Sequence, residues 1–407
     1  MKSSFIGWLL SLSLTACATY QGKVRQARQL LSSGYPDKAA HLLKKEALKE
    51  GKDQLVYLFD YATALQVAKN YKESTKMFLM ADQLADIKDY YSVSKIGTSL
   101  LFAEEMVQYK GEDYEKLLIN VMLALNYLMT GELEEALVEI RRINEKLEYY
   151  KTEQKKQYEQ NPFAIYLSAL VWEENRHWDD AYIDFKKAYK LGLRNSYIEE
   201  DLLRAARKAQ RWEDYRHWRK TFGHSEKKLS KDEGELIVIF QQGWAPRKYP
   251  YPRAPRYPFL YPVLSQTKRA RVLVQNSDIQ PETTRVFYSV EKVAIKTLND
   301  AILKLVAKRL AGQVAKHAVA KEVRKKNEAL GDLLFITMQL SDRADLRQWS
   351  TLPRTFQLAK LRLKAGTYSV QFEGLNDQGF PTGEQAIMPS VIIRPQHKTF
   401  VMWRSFR

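Results

Sequence analysis

The residue with the most distinctive chemistry in this sequence is Cys17, which carries the only thiol among 407 residues. A thiolate is a nucleophile that can take a covalent group. Cys17 follows one early lysine, the apolar run 5–14 and two small residues, Thr15 and Ala16. This order is that of a secretory signal, and an apolar run of about 10 residues is too short to span a bilayer as a helix. The pattern predicts a mature chain that begins at Cys17.

The segment Leu14-Thr15-Ala16-Cys17 resembles the lipobox of bacterial lipoproteins. The resemblance implies that the Cys17 thiol takes a diacylglycerol, that the signal peptide 1–16 is removed and that the new amino terminus is acylated. Several acyl chains form a stable anchor where one would be marginal. Residues 17–23 would form a lipidated tether, and Ala18, in place of an aspartate, points to the outer membrane facing the periplasm. The lipid on Cys17 is the only cofactor expected; the alternative is a chance thiol in an ordinary signal.

The other residues able to do chemistry form no recognisable catalytic or metal motif. No two of the six histidines flank a glutamate at zinc-site spacing, so no metal site is expected. The acidic pairs 134–135 and 179–180 fall where helices are expected to begin, and the helix dipole favours negative charge there. We therefore expect a protein that is not an enzyme. Carboxylates distant in sequence, paired as in a glycosidase, remain the alternative.

The positive charge is concentrated in the second half of the chain. Residues 234–407 hold 28 Lys and Arg against 13 Asp and Glu, and the preceding residues hold 37 against 35. Such asymmetry bears on partners rather than on fold. Nucleic acid is not expected as a partner of a secreted protein, so the candidates are anionic headgroups, acidic glycans or an acidic protein. The alternative is a solvated basic surface without a ligand.

Two clusters of aromatic and cationic residues are candidate binding sites. The first lies where proline and tyrosine alternate, and it contains Trp244, Arg247, Tyr249 and Tyr251. Exposed, it would form an aromatic groove; covered, it would cross the β-rich region. The second contains Asp345, Arg347 and Trp349, which share one face of an extended chain. Its alternative is a buried Arg347–Asp345 pair stacked on Trp349.

Residues 24–223 are predicted to form helix after helix. A phrase made of a turn, an aromatic or apolar residue, two polar residues and a mostly small residue recurs near residues 35, 70, 132, 178 and 212. It resembles the tetratricopeptide repeat, whose period is about 34 residues. The residues that match its small and aromatic positions are Ala124, Tyr127, Gly131, Ala136, Ala169, Trp172, Trp178, Ala181, Phe185 and Ala188. The resemblance implies a solenoid of four or five helical hairpins with a concave surface.

Residues 224–233 have the composition of a linker, and 234–407 change to short β-branched runs. We predict strands at 235–240, 271–275, 284–288, 333–340, 356–363, 368–372, 391–394 and 399–403. Residues 364–367 are predicted to be a hairpin turn, and the whole a β-sandwich-like domain. One long helix is inserted at about 297–326, with an apolar stripe opposite lysines. This helix either lies on a membrane or packs on the sheet.

The predicted fold class is therefore α+β multidomain, with an N-terminal α-solenoid and a C-terminal β-sandwich-like domain. The segments 161–168, 178–182, 243–247, 345–353 and 363–368 together resemble an uncharacterised family of bacterial repeat-containing lipoproteins. The resemblance supports the architecture and supplies no activity. The expected function is a protein-interaction scaffold or assembly factor for an envelope machine. The alternatives are a binder of anionic glycan (peptidoglycan) or lipid headgroups through the basic domain, and an enzyme.

Overall fold

A computed structural model of the chain describes residues 15–93, 108–152, 161–252, 254–298, 321–322, 324–325 and 344–407. The chain forms two compact units. One comprises Met1–Ile119, Pro246–Val263 and Lys292–Leu352, and the other comprises Asn120–Ala245, Leu264–Glu291 and Pro353–Arg407. Each unit thus combines helices from the first half of the sequence with segments from the second half. The predicted domains, in contrast, divide at the linker 224–233.

The helices of the first half follow one another with short connections or with segments outside the described residues. Their bounds are α1 Thr15–Ser32, α2 Pro36–Leu48, α3 Gln54–Val67, α4 Tyr71–Val93, α5 Asp113–Thr130, α6 Leu133–Thr152, α7 Pro162–Glu174, α8 Trp178–Lys190, α9 Ser196–Lys208 and α10 Trp212–Phe222. None of the helices in the described residues is both long enough and apolar enough to cross a membrane. The segment 17–23, expected to be a tether, is instead part of α1, and Tyr20 within it is buried.

Five helical hairpins share the same turn, which is the structural basis of the recurrent phrase. In each turn one residue has a positive φ two positions before the second helix; these residues are Gly34, Lys69, Gly131, Arg176 and Gln210. The next residue donates its backbone N–H to a carbonyl five positions earlier, as from His177 to Trp172 at 2.9 Å. This is the Schellman closure of a helix C-terminus. The N-terminal half is therefore built of tetratricopeptide-like repeats.

The two helices of a hairpin differ in how they are buried. The second helices are amphipathic: α8, for example, buries only Ala181, Tyr182, Phe185 and Ala188. Three of the first helices, α3, α5 and α7, are buried on nearly every side, and α3 buries each residue from Gln54 to Gln66. A helix that is apolar all round must be covered on both faces. The segments that cover the first helices come from the second half of the sequence.

Within the part of the chain that the structure describes, the strands form two four-stranded sheets and one separate hairpin. Their bounds are β1 Glu233–Gln242, β2 Arg247–Tyr251, β3 Ala254–Tyr261, β4 Arg269–Val274, β5 Glu282–Thr283, β6 Arg285–Ser289, β7 Thr355–Lys364, β8 Gly366–Leu375, β9 Pro381–Ile393 and β10 Lys398–Arg404. One sheet has the order β10-β1-β7-β6, with β1 and β10 parallel, and the other has the order β5-β4-β8-β9. Both belong to the second unit and share one hydrophobic core that includes Phe240, Phe372 and Trp403. The fold is α+β, as predicted.

The predicted hairpin turn at 364–367 is wrong. β7 pairs with β1 and β6, whereas β8 pairs with β4 and β9, so the connection carries the chain from one sheet to the other. Ala365 donates its backbone N–H to the carbonyl of Asp232 at 2.7 Å instead of closing a hairpin. A two-residue turn between β-branched runs is compatible with both arrangements, and only the long-range pairing of β1 decides between them.

Two predictions fall largely outside the described residues. The strand predicted at 333–340 lies there entirely. Residues 290–298 are helical, here α11, up to the edge of the described residues, and they include the first two residues of the long helix predicted at about 297–326. Residues 321, 322, 324 and 325 are also helical. The Tyr-Pro segment, expected to be extended, forms the antiparallel pair β2–β3.

Candidate functional site

In the first unit, residues 344–352 cover the face of α3, and we call this segment the strap. Its central residue is Trp349, which is completely buried and stacks on Phe59 with ring centroids 4.7 Å apart. The indole N–H donates to Thr63 Oγ1 at 2.9 Å. The ring of Phe78 on α4 packs against the same indole, with ring centroids 5.5 Å apart. Trp349 therefore fills the interior between two helices and offers no surface to a ligand.

A buried carboxylate on α3 holds the end of the strap. Asp60 accepts hydrogen bonds from the Thr351 N–H at 2.9 Å, the Thr351 hydroxyl at 2.8 Å and the Ser350 hydroxyl at 3.1 Å. Burial raises the pKa of Asp60 to about 6, although these hydrogen bonds oppose the shift. The function of this carboxylate is to satisfy the polar groups of a segment that crosses an apolar helix.

A second buried carboxylate, Glu115 at the start of α5, binds the same segment. It accepts the Trp349 backbone N–H at 2.7 Å and the Tyr109 hydroxyl at 2.5 Å. Burial raises the pKa of Glu115 to about 7, and the charge of Lys248 partly opposes the increase. Asp60 and Glu115 thus act together as a clamp on the strap.

The predicted Asp345–Arg347 pair exists, but its aromatic partner differs from the prediction. Arg347 contacts Asp345 at 2.7 Å and Asp53 at 3.0 Å, and its guanidinium lies 5.3 Å from the centre of the Tyr109 ring. Trp349 stacks on Phe59 instead of on Arg347. Arg347 is 6% exposed, and these contacts attach the strap to the connection that precedes α3. The structure therefore places Arg347 and Trp349 of this candidate binding cluster in the interior, and Asp345 is half-buried.

In the second unit, a buried cluster of three acids and three bases joins helices to the first sheet. Its members are Glu173, Asp201, Arg204, Glu235, Lys360 and Lys398. Arg204 contacts Asp201 at 2.6 Å, and Lys398 contacts Glu173 at 3.2 Å and Glu235 at 3.1 Å. Burial alone would raise the pKa of Glu173, but the charges of Arg204 and Lys398 lower it to about 2. Charges buried in this way are stable only as a complete set.

These ion pairs explain part of the charge asymmetry between the two halves of the sequence. Several bases of the second half pair with acids of the first half inside one unit: Lys248 with Glu112, Arg347 with Asp53, Lys360 with Asp201, Arg362 with Glu200, and Lys398 with Glu173. Their charge is neutralised within the protein and is not offered to an anionic ligand. The asymmetry is thus, in part, a consequence of folding.

The structure places the predicted repeat residues in the helical hairpins and their turns. Ala124, Ala136, Ala169, Ala181, Phe185 and Ala188 are completely buried. Tyr127, Trp172 and Trp178 are half-buried, and Gly131 occupies a turn with φ of 81°. A small side chain at such a position lets two helices approach closely.

The first predicted binding cluster separates into a buried residue and an exposed hairpin. Trp244 is buried against Phe406, with ring centroids 4.7 Å apart, and donates to the Phe406 carbonyl at 3.0 Å. Tyr249 and Tyr251 are 44% and 39% exposed on β2, and Arg247 is half-buried at the start of the same strand. We call residues 247–261 the Tyr-Pro hairpin. Of the predicted binding residues, these three remain available to a ligand.

A second exposed surface, which no sequence motif predicted, lies on α8 and α10. Trp212 is 51% and Ile183 is 48% exposed. Nearby, Arg211 pairs with Asp179 at 2.6 Å, and the Lys208 ammonium lies 5.3 Å from the Trp178 ring centre. The signal that could have located it is Trp212, an exposed aromatic residue that opens the amphipathic helix α10. Within the described residues, no group of three potential ligands is placed to bind a metal ion.

No family model and no curated protein matches this chain. Among solved structures, it is similar to MamA from Desulfovibrio magneticus RS-1, at 14% identity over 50% of this chain and 90% of that one, with a TM-score of 0.34. It is also similar to a tetratricopeptide repeat protein from Parabacteroides merdae, at 13% identity over 51% of this chain and 68% of that one, with a TM-score of 0.34. A likeness at this level carries no conclusion about function.

Proposed function

We propose that this protein is a lipid-anchored scaffold of the bacterial cell envelope, attached through Cys17 to the outer membrane and facing the periplasm. The observation that carries the proposal is the lone cysteine directly after Leu14-Thr15-Ala16 at the end of a short signal. Cleavage before Cys17 would leave that residue at the first turn of α1. Three positions later, the Tyr20 hydroxyl donates to the Gln348 carbonyl at 2.7 Å. The anchor would therefore join the folded body without a flexible tether.

The compact units determine which surface of the repeats a scaffold could offer to a partner. Isolated repeat arrays bind partners on the surface lined by their first helices. In the first unit, the strap occupies α3 through Trp349 and Asp60. In the second, Phe356 of β7 stacks on Phe163 of α7 at 5.1 Å. A protein partner would consequently bind the outer surface of the second helices.

The surface on α8 and α10 has the composition of a protein interface. Interface residues that contribute most to binding are enriched in Trp, Tyr and Arg, and this surface combines Trp212 and Ile183 with Arg211. We place the partner-binding surface there. Its partner would present apolar side chains to Trp212 and carboxylates to the neighbouring bases of α10.

Metabolic labelling with palmitate tests the anchor. The wild-type chain is expected to incorporate the label and to sediment with membranes, and Cys17→Ser to do neither, since the acylated thiol is absent. Ala18→Ser is the matched control and should behave like wild type. Undiminished labelling of Cys17→Ser would overturn the proposal.

Photo-crosslinking tests the partner surface. A photoreactive residue at 183 is expected to give discrete adducts in cells, and Trp212→Glu should abolish them because it removes the apolar centre of the surface. A photoreactive residue at Tyr149, which is 53% exposed on α6, is the control and should give none. Equal adducts at both positions, or adducts that persist in Trp212→Glu, would show that this surface is not the binding site.

A further inference from the structure

The Tyr-Pro hairpin has an inward face, which is buried against the protein, and an outward face, which carries aromatic rings. Along β2 and β3, Lys248 and Leu260 point inward and are 6% and 4% exposed. The alternate positions Tyr249, Tyr251 and Phe259 point outward, with exposures of 44%, 39% and 38%. Rings of this size are rarely left in water in a row, because each exposes apolar area that burial would stabilise.

The outward rings contact one another and form what we call the aromatic row: Tyr249, Tyr251, Phe259 and Tyr261. Ring centroids are 5.6 Å apart for Tyr249–Tyr261, 4.9 Å for Phe259–Tyr261 and 5.9 Å for Tyr251–Phe259. Arg247 lies at one end, with its guanidinium 5.5 Å from the Tyr249 ring centre.

The inward face fixes the hairpin before any ligand arrives. Lys248 forms an ion pair with Glu112 and donates to the Arg347 carbonyl at 3.2 Å. Gln348 of the strap donates to the Pro246 carbonyl at 2.8 Å, and its side-chain oxygen accepts the Lys248 backbone N–H. A surface held in this way loses little conformational entropy on binding.

The hairpin begins beside α1, the helix that contains Cys17. The Arg247 guanidinium lies 3.5 Å from the Gln21 side-chain oxygen on α1, and Gln21 also donates to the Leu346 carbonyl at 3.1 Å. Gln21 is four residues after Cys17 in the same helix, a distance of about 6 Å along the axis. An acyl chain on Cys17 would therefore leave α1 about one helical turn before the residue that contacts the hairpin.

We propose that the Tyr-Pro hairpin rests on the membrane that holds the anchor, with the aromatic row at the level of the phospholipid headgroups. This inference rests on the proposed lipidation of Cys17. Tyrosine is favoured at membrane interfaces because its ring is apolar and its hydroxyl is polar. The Arg247 guanidinium at one end of the row supplies positive charge, which anionic headgroups attract. Pro250 and Pro258 oppose each other across the hairpin and leave no N–H to be desolvated there.

The experiment uses the full lipidated chain with a thiol placed on the hairpin. In Tyr251→Cys, acylation of Cys17 leaves residue 251 as the single free thiol, which is labelled with the fluorophore NBD. The protein is reconstituted into phosphatidylethanolamine–phosphatidylglycerol vesicles containing a headgroup-attached nitroxide quencher. We expect a severalfold loss of NBD emission relative to vesicles without quencher. Phe259→Cys is the second hairpin variant, and it should give the same loss if Tyr251→Cys disturbs the row.

The matched control is Tyr35→Cys, which lies in the same unit beyond the far end of α1 and is 51% exposed. Its NBD emission should be nearly unaffected by the quencher. One labelled thiol per chain would show that Cys17 is blocked. In that case, the absence of quenching at 251 and 259, or equal quenching at 35, would overturn the hairpin proposal and leave the lipidation of Cys17 intact. Two labelled thiols per chain would instead show that Cys17 is free, and would contradict the proposed anchor.

Discussion

At the residue scale, the most informative side chains are two carboxylates inside apolar helices. An ionised carboxylate is costly to bury unless its oxygens are hydrogen-bonded. Asp60 and Glu115 accept hydrogen bonds from backbone N–H groups and hydroxyls of the strap and its surroundings. These acidic residues interrupt the apolar sequences of α3 and α5, and they are the positions that bind the strap, a segment distant in sequence. The tryptophan selected as a binding candidate belongs to the same structural arrangement.

The raised pKa of Glu115 gives a pH dependence with a definite sign. Because burial lifts this pKa to about 7, the folded state holds the proton more tightly than the unfolded state. The contribution to stability is full below the unfolded pKa of about 4.3 and is lost as pH rises through 7. Relative to Glu115→Gln, which keeps an oxygen acceptor for Trp349, wild type should gain about 2 kcal/mol in unfolding free energy between pH 8 and pH 5. Urea unfolding of both proteins across that range measures it, and parallel pH profiles would refute it.

At the element scale, the sequence predicts the regular turns between helices. It does not predict which helix of each hairpin is covered and which is exposed. The phrase around Gly34, Lys69 and Gly131 predicts a hairpin because each copy is local. The all-round apolar character of α3 and α7 is the sequence signal that both helices are covered, but no local pattern identifies the segment that covers them. The hydrogen bond between Ser350 and Asp60 joins residues 290 positions apart. The prediction of a hairpin between β7 and β8 was wrong for the same reason, because the sheet that each strand joins depends on partner strands far away in sequence.

The turn residues provide a test of the repeat geometry. Lys69 has φ of 62°, a conformation that costs a residue with a Cβ about 1 kcal/mol and costs glycine almost nothing. Lys69→Gly should therefore raise the unfolding free energy by about 0.5–1 kcal/mol. Lys69→Ala, which removes the charge but keeps the Cβ, is the control and should not raise it. Thermal or urea unfolding distinguishes the two; a destabilised Lys69→Gly protein would show that the turn is not as described.

At the scale of the whole molecule, each compact unit is assembled from both halves of the sequence. The sequence divides at a linker by composition, yet Lys360 and Lys398 of the sheet complete a charge cluster with Glu173 and Asp201 of the helices. Composition could predict the α+β class, since it depends on local runs. The assembly of each unit from both halves depends on long-range ion pairs that no local pattern predicts. When these pairs are ignored, the net charge of the second half overstates the charge available to an anionic ligand.

This organisation predicts how fragments behave. Residues 18–223 and 224–407 produced separately should aggregate or bind hydrophobic dyes, because the first helices lose their covers and buried charges lose their partners. Co-produced, the two fragments should form a soluble complex in equal amounts. Size-exclusion chromatography with dye binding is the measurement. Two fragments that each unfold cooperatively as monomers would contradict the assembly of the units from both halves.

The most direct test of the central claim is the intact mass of the protein extracted from bacterial membranes. The lipid anchor predicts a chain of residues 17–407 whose mass is increased by a diacylglycerol on the Cys17 thiol and by an acyl group on the new amino terminus, with both additions confined to the N-terminal peptide after digestion. An N-terminal peptide that begins at Cys17 or elsewhere and carries an unmodified thiol would contradict the account.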